Sequence, residues 1–284
     1  MEEIEQGVSK THGFRHAEFP ATRWTLVTLA RRPDDPEAVR ALEEICECYW
    51  YPIYAFIRRC GASPSDAEDT TQNFFSTIHE HVQRADADRG RLRTFFMAIA
   101  RKKFADHRKF LGAKKRGGGA IVDSLDETSA EGRYLVEPVD PSATPEEFYE
   151  YVWAKEITLN CLAAVGREWE LKGRGGEFET LRSLVLRPMI EFDLSVTRES
   201  ACEGLSISAG SLRQRIKAIR DRLWAILANE VSGTLSASEG PNGRPSQQLV
   251  AEEVAYLFSA LSTTGTGVTS TYSRPPPEVG SQQT

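Results

Sequence analysis

No stretch of this 284-residue sequence approaches the ~20 consecutive apolar residues that a membrane-spanning helix requires. The first residues, Met1-Glu2-Glu3-Ile4-Glu5, are acidic and lack the apolar centre of a secretory signal. Cysteine is scarce: five residues, an odd number at no framework spacing. That excludes a disulfide scaffold and suits a reducing cytoplasm. Alternation of apolar and polar residues is missing beyond a few positions, so strands are not expected. No glycine-rich phosphate loop of the usual spacing occurs, because Gly117-Gly118-Gly119 follow Lys and Arg instead of a strand. No Ser/His/Asp set can be selected by spacing, and no internal repeat is visible.

What is there is an ordinary globular composition with an uneven charge distribution. Hydrophobic residues make up 40% and charged residues 27%, and the length predicts about two domains. The formal net charge is −6. Between Arg89 and Gly119, however, eleven basic residues stand against one acid, Asp106, a local charge of +10. From Asp123 to Glu156 ten acids stand against Arg133 and Lys155, a local charge of −8. Blocks of this size mean that different surfaces meet different partners, and the basic one is an electrostatic footprint for phosphate.

The readable elements are helical, which predicts an all-α fold. Apolar residues recur at helical spacing from Pro36 to Arg59, with Pro52 expected to end or kink that helix. Ser63-Pro64-Ser65-Asp66 is a strong helix start, a capping serine followed by proline. A third helix covers about Arg91 to Phe110. Pattern resumes at Pro145 with Trp153, Ile157, Cys161 and Val165 as its stripe. The segment Thr197 to Glu230 reads as helix, short turn, long helix. The expectation is two helical domains joined by a flexible linker, the second containing a helix-turn-helix. In residue numbers this is an arm at 1–18, a domain at 19–111, an acidic linker at 112–144, a second domain at 145–231, a linker at 232–248, a helix at 249–261 and a disordered tail at 262–284.

Three groups of residues carry candidate chemistry. The first is the row Asp66, Glu68, Asp69, Gln72 and Asn73. An enzyme would use Asp66 and Asp69 on a divalent metal, but no matching second carboxylate cluster appears, so a metal is not expected. Helix-start acids also favour the positive end of the helix dipole, and an exposed acid and amide row can face a basic protein. Cys46 and Cys48 lack the spacing of a zinc hairpin and read as core thiols. The second group is the basic, aromatic helix: Arg93, Phe95, Phe96, Arg101, Lys102, Lys103, Arg108 and Lys109. Cations attract phosphate and rings stack on unpaired bases, although Phe95 and Phe96 also fit a core. The third is the start of the last long helix, where Ser208, Ser211, Arg213 and Gln214 would meet base edges and Lys217 and Arg220 would reach phosphates.

The order of these pieces resembles bacterial sigma factors of the extracytoplasmic-function type, within the sigma-70 family, and a group with a long acidic inter-domain linker. The resemblance runs from Phe19-Pro20-Ala21-Thr22-Arg23-Trp24 through Asp66-Ala67-Glu68-Asp69-Thr70-Thr71-Gln72-Asn73-Phe74-Phe75 and Arg89-Gly90-Arg91-Leu92-Arg93-Thr94-Phe95-Phe96 to about Val231. It implies a promoter-specificity subunit, not an enzyme, with no cofactor. Its partners would be bacterial RNA polymerase core and promoter DNA, both as duplex and as melted non-template strand. An anti-sigma protein is left open, and no membrane is implied. The Asp66 row would dock on polymerase, the basic aromatic helix would hold the melted strand, and the distal helix pair would read the duplex. This chain departs from the family where Phe95 or Phe96 replaces tryptophan, Lys102 replaces asparagine, Cys202 replaces alanine and Ser206 replaces the turn glycine. The rival reading is a helix-turn-helix regulator that binds DNA without polymerase.

Overall fold

The computed structural model describes residues 23–32, 35–86, 90–114, 129–137, 140–186, 196–235 and 245–264. These residues form eleven α-helices and, among the described residues, no strand. They are α1 Arg23–Ala30, α2 Pro36–Arg59, α3 Pro64–Ser76, α4 Ile78–Arg84, α5 Leu92–Lys114, α6 Ser129–Val136, α7 Pro145–Leu171, α8 Gly175–Leu186, α9 Arg198–Leu205, α10 Ala209–Ser232 and α11 Gln247–Thr264. The expected arm at 1–18, residues 115–128 of the acidic linker, residues 187–195 of the second domain, most of the linker at 232–248 and most of the tail lie outside the described residues.

Local sequence sets the helix starts. Asp35, Ser63, Thr144, Thr197 and Ser208 each accept a hydrogen bond from a backbone N–H of the first turn. Thr144 and Glu147 do so reciprocally, a capping box. Pro36, Pro64 and Pro145 occupy first-turn positions where no N–H is missed. Each such cap contributes about 1 kcal/mol.

Pro52 does not end its helix. α2 continues through it to Arg59, and Tyr49, Tyr51, Ile53, Tyr54, Ala55, Phe56 and Ile57 are all buried around it. An interior proline costs about 3 kcal/mol. Burial of this many large side chains, at roughly 2 kcal/mol each, outweighs that cost.

The two halves expected as separate domains share one buried cluster, which runs from Leu26 on α1 to Leu261 on α11. α7 lies at its centre, packing along α2 on one side and against α8, α10 and α11 elsewhere. Phe148, Tyr149, Tyr151, Val152, Trp153 and Ala154 are buried in succession, so this part of α7 has no solvent face. The α1 backbone joins the same body: Trp24 donates from its backbone N–H to the Gly233 carbonyl and from its indole Nε1 to the Thr234 carbonyl.

The later part of the expected linker is also structured. Residues 129–136 form α6, and Asp140 caps a turn through the Ser142 backbone N–H. The reason is Glu131, which is buried against α2. Arg58 donates to it from two nitrogens at 2.8 and 2.7 Å, and the Tyr54 hydroxyl donates at 2.6 Å. A forked pair of this kind fixes orientation as well as position.

Two backbone positions are sensitive. Ser206 turns the chain between α9 and α10 with φ 51°, the left-handed region that favours glycine. A Cβ on Gly166 would come within 2.8 Å of the Phe178 ring, which lets α7 and α8 approach closely. Ser206→Gly is therefore expected to raise stability by about 0.5–1 kcal/mol in thermal or denaturant unfolding. Gly166→Leu is expected to lower it by about 2 kcal/mol or more, by overpacking the α7–α8 contact.

Candidate nucleic-acid interface

α3 and α5 pack side by side, and polar bonds fix their register. At one end His107 lies 3.1 Å from Asp66, which also accepts from the Ser63 hydroxyl at 2.7 Å. Burial alone would raise the Asp66 carboxyl, but the hydrogen bonds from Ser63 and His107 outweigh it and hold it below its ordinary range. At the other end Lys103 Nζ donates to Asn73 Oδ1 at 2.8 Å, to the Asn73 carbonyl at 3.1 Å and to the Thr77 hydroxyl at 2.9 Å. An ammonium on the last carbonyls of α3 offsets the negative end of its dipole.

These bonds divide the first candidate row. The half-exposed Asp66 and the exposed Asn73 bond to α5, whereas the exposed Asp69 and Gln72 and the half-exposed Glu68 do not. Gln72 donates to Glu68 at 3.3 Å, so the outward part of the row is Glu68, Asp69 and Gln72. Among the described residues no group of three or more His, Cys, Asp or Glu is placed to hold a metal ion. Cys48 is buried, and burial, helped by Glu43 and Glu47, pushes the half-buried Cys46 thiol up to about 11. These are unreactive core thiols.

The second candidate group also divides, and two members need correction. Phe96 is fully buried, with its ring edge-on to Tyr49 at 4.9 Å and to Phe74 at 5.7 Å. It is core and has no face for a base. Phe95 beside it is half-buried. Arg93 is also buried, at 1% exposure, with Nε 2.7 Å from Glu150 and Nη2 2.5 Å from Glu253. Burial opposes its charge, and the two carboxylates outweigh that opposition. Helical geometry explains both findings. Arg93, Phe96, Ala100 and Phe104 follow one another at steps of three and four, so they share the inward face. Lys103 is spent on the end of α3. The exposed basic face of α5 is therefore Arg101, Lys102, Arg108 and Lys109, with Arg101 in an ion pair with Glu146.

At the third candidate site α9, a three-residue turn and α10 follow one another. Ser208 is exposed but caps α10, accepting from the Ser211 backbone N–H at 3.2 Å, and Ser211 is half-buried. Arg213, Gln214 and Lys217 are exposed, with Lys217 2.5 Å from Asp221. Arg220 turns inward, and its Nη2 donates to the Leu184 carbonyl at 3.4 Å. Arg215 and Arg222 likewise serve Glu177 and Glu168. Three of the five basic residues on α10 thus tie it to α7 and α8.

Sequence reasoning missed Glu131, Glu150, Glu253 and His107. Each acts through a partner far away in the chain, and nothing in local spacing marks that partner. It also expected an acidic flexible linker at 112–144. Instead Glu131, Glu137, Glu146, Glu150 and Glu156 pair with Arg58, Lys155, Arg101, Arg93 and Arg133.

With this geometry in place, comparison with known families adds one finding. Residues 47–112, under a quarter of the chain, match the family model of sigma-70 region 2. They span α3, α4, most of α5 and the second half of α2. No curated protein and no solved structure gave a match. Residues 47–112 are therefore similar to sigma-70 region 2, a part of transcription initiation factors. No described helix is long and apolar enough to cross a membrane.

The site has a pH signature. His81 is buried against the Phe74 ring, 5.0 Å between centroids, and burial together with the charge of Lys103 lowers its pKa to about 4. A group whose folded pKa lies below its unfolded value of 6.5 adds stability that is complete above that value and lost as pH falls toward 4. Unfolding free energy should decline by about 2 kcal/mol across this window. His81→Gln should flatten the decline, as measured by urea unfolding at a series of pH values.

Proposed function

We propose that this chain is a sigma factor of the extracytoplasmic-function type, acting in the cytoplasm. In this reading it binds bacterial RNA polymerase core and directs promoter recognition and melting. The observation that carries the reading is the sigma-70 region 2 match over 47–112, on residues that present an acidic row and a basic face to solvent. Glu68, Asp69 and Gln72 dock on polymerase, with Asp66 and Asn73 setting the angle of their helix against α5. Arg101, Lys102, Arg108 and Lys109 attract the phosphates of the melted non-template strand, and Phe95 offers the ring beside them. Arg213, Gln214 and Lys217 on α10 read the upstream duplex in the major groove. The exposure of these side chains and the helix-turn-helix spacing of α9 and α10 support that assignment.

The test is capture by purified core polymerase. Wild type should bind stoichiometrically, and Asp69→Lys should weaken binding by about tenfold or more, because it sets like charge against the partner's basic surface. Tight promoter-duplex binding without polymerase, unaffected by that change, would favour the stand-alone regulator instead. A second measurement addresses the basic face. Lys102→Ala and Arg108→Ala should each weaken binding to single-stranded DNA. Each should also reduce the slope of log affinity against log salt by roughly 0.7.

A further inference from the structure

The charged residues that neither face absorbs meet in one place. Arg91 and Arg93, at the start of α5, face Glu150 of α7 and Glu253 of α11. Arg91 Nη2 lies 2.6 Å from Glu253, and Arg93 bridges Glu150 and Glu253 at 2.7 and 2.5 Å. Glu253 is 1% exposed. The Arg93 guanidinium also lies over the Trp153 ring, 4.6 Å from its centroid, and over Tyr256 of α11 at 5.7 Å.

α11 is held along the same buried face by apolar contact. Val254, Leu257 and Leu261 are buried, Phe258 stacks on Trp224 of α10 at 5.7 Å, and the helix packs against α7 and α10. One edge of α11 is therefore a greasy seam, and the edge that reaches α5 is a cluster of four charges. Such a cluster specifies geometry well and stabilises poorly, because desolvation cancels most of its attraction. Arg93 Nη1 finds no acceptor inside it. Lifting the helix returns Glu253 and Arg91 to water while Glu150 of α7 keeps Arg93 paired, so the contact is suited to opening.

What the contact reaches is the start of α5, the helix whose exposed cations, Arg101, Lys102, Arg108 and Lys109, are assigned to strand capture. Glu253 occupies Arg91 and Arg93 from α11, and Glu146 occupies Arg101 from α7. The chain's own carboxylates stand where phosphate oxygens would stand. We infer that α11 is an autoinhibitory clasp: Glu253 holds Arg91 and Arg93 as an intramolecular substitute for phosphate, and full strand capture by α5 requires α11 to lift. The inference rests on the proposed role of α5.

The test uses the full chain and fluorescence anisotropy with a labelled single-stranded oligonucleotide at fixed salt. Two variants open the clasp by different routes: Glu253→Gln removes the charge and Leu257→Ala loosens the seam. If the closed form holds about nine molecules in ten, each should bind about tenfold tighter than wild type. Unchanged affinity in a variant that keeps its helical circular dichroism overturns the clasp. Weaker affinity also overturns it, by making Glu253 a positioning residue for Arg93. Should both variants lose their helical signal, hydrogen exchange on wild type decides. Saturating oligonucleotide should speed exchange of the α11 amides about tenfold, and unchanged protection overturns the clasp. Capture by core polymerase, run in parallel, separates the two failures. Wild type that binds polymerase while Glu253→Gln gains nothing loses only the clasp. A wild type that binds neither polymerase nor oligonucleotide, with variants that do no better, loses the proposed function and the clasp together.

Discussion

α7 has almost no side that tolerates water, and the rest of the molecule is arranged to cover it. Six of the seven residues from Phe148 to Ala154 are buried, all but Glu150, and leave no polar stripe for solvent. Burying such a helix requires neighbours on every flank, and α2, α8, α10 and α11 supply them. α2 is in the same position, since its second half is also buried all round. Two helices of this kind satisfy each other most readily by packing together. This is why the segment that matches sigma-70 region 2 shares its core with the helices that follow it.

Electrostatics then follows packing. The +10 and −8 blocks are neighbours in the chain, and the closed arrangement brings them into contact. Carboxylates at 131, 137, 146, 150 and 156 are taken up by cations within the chain. Exposed pairs of this type contribute little, about 0–1 kcal/mol. The Glu131–Arg58–Tyr54 group and the cluster around Arg93 are buried and therefore more directional. They decide which side of each helix faces inward, and so which cations remain available to a nucleic acid.

The charged residues consequently fall into two populations that composition alone does not separate. Arg93, Lys103, Arg215, Arg220 and Arg222 are used inside the chain to bind carboxylates or helix ends. Arg101, Lys102, Arg108, Lys109, Arg213 and Lys217 stay on the surface, where a phosphate could reach them. The acidic row divides in the same way, with Asp66 and Asn73 committed to α5 and Glu68, Asp69 and Gln72 facing out. The function proposed for the chain depends on the outward population, and its regulation on the inward one.

Much of the local structure was legible in the sequence. Capping residues and prolines mark the starts of α2, α3, α7, α9 and α10 because those signals act within one turn. The stripe Trp153, Ile157, Cys161 and Val165 and the last helix near 249–261 were readable for the same reason. What the sequence could not supply was the partner of each face. Whether Phe96 is a stacking platform or core, whether Pro52 breaks a helix and whether residues 129–136 are linker or helix depend on contacts with residues distant in sequence. Glu253 is 160 positions from Arg93, and no local rule connects them. Helix formation is determined by neighbours a few residues away, so the sequence by itself determined the helices and their faces. Burial and charge pairing are determined by whatever the chain brings alongside, so only the tertiary structure decided which faces remain open.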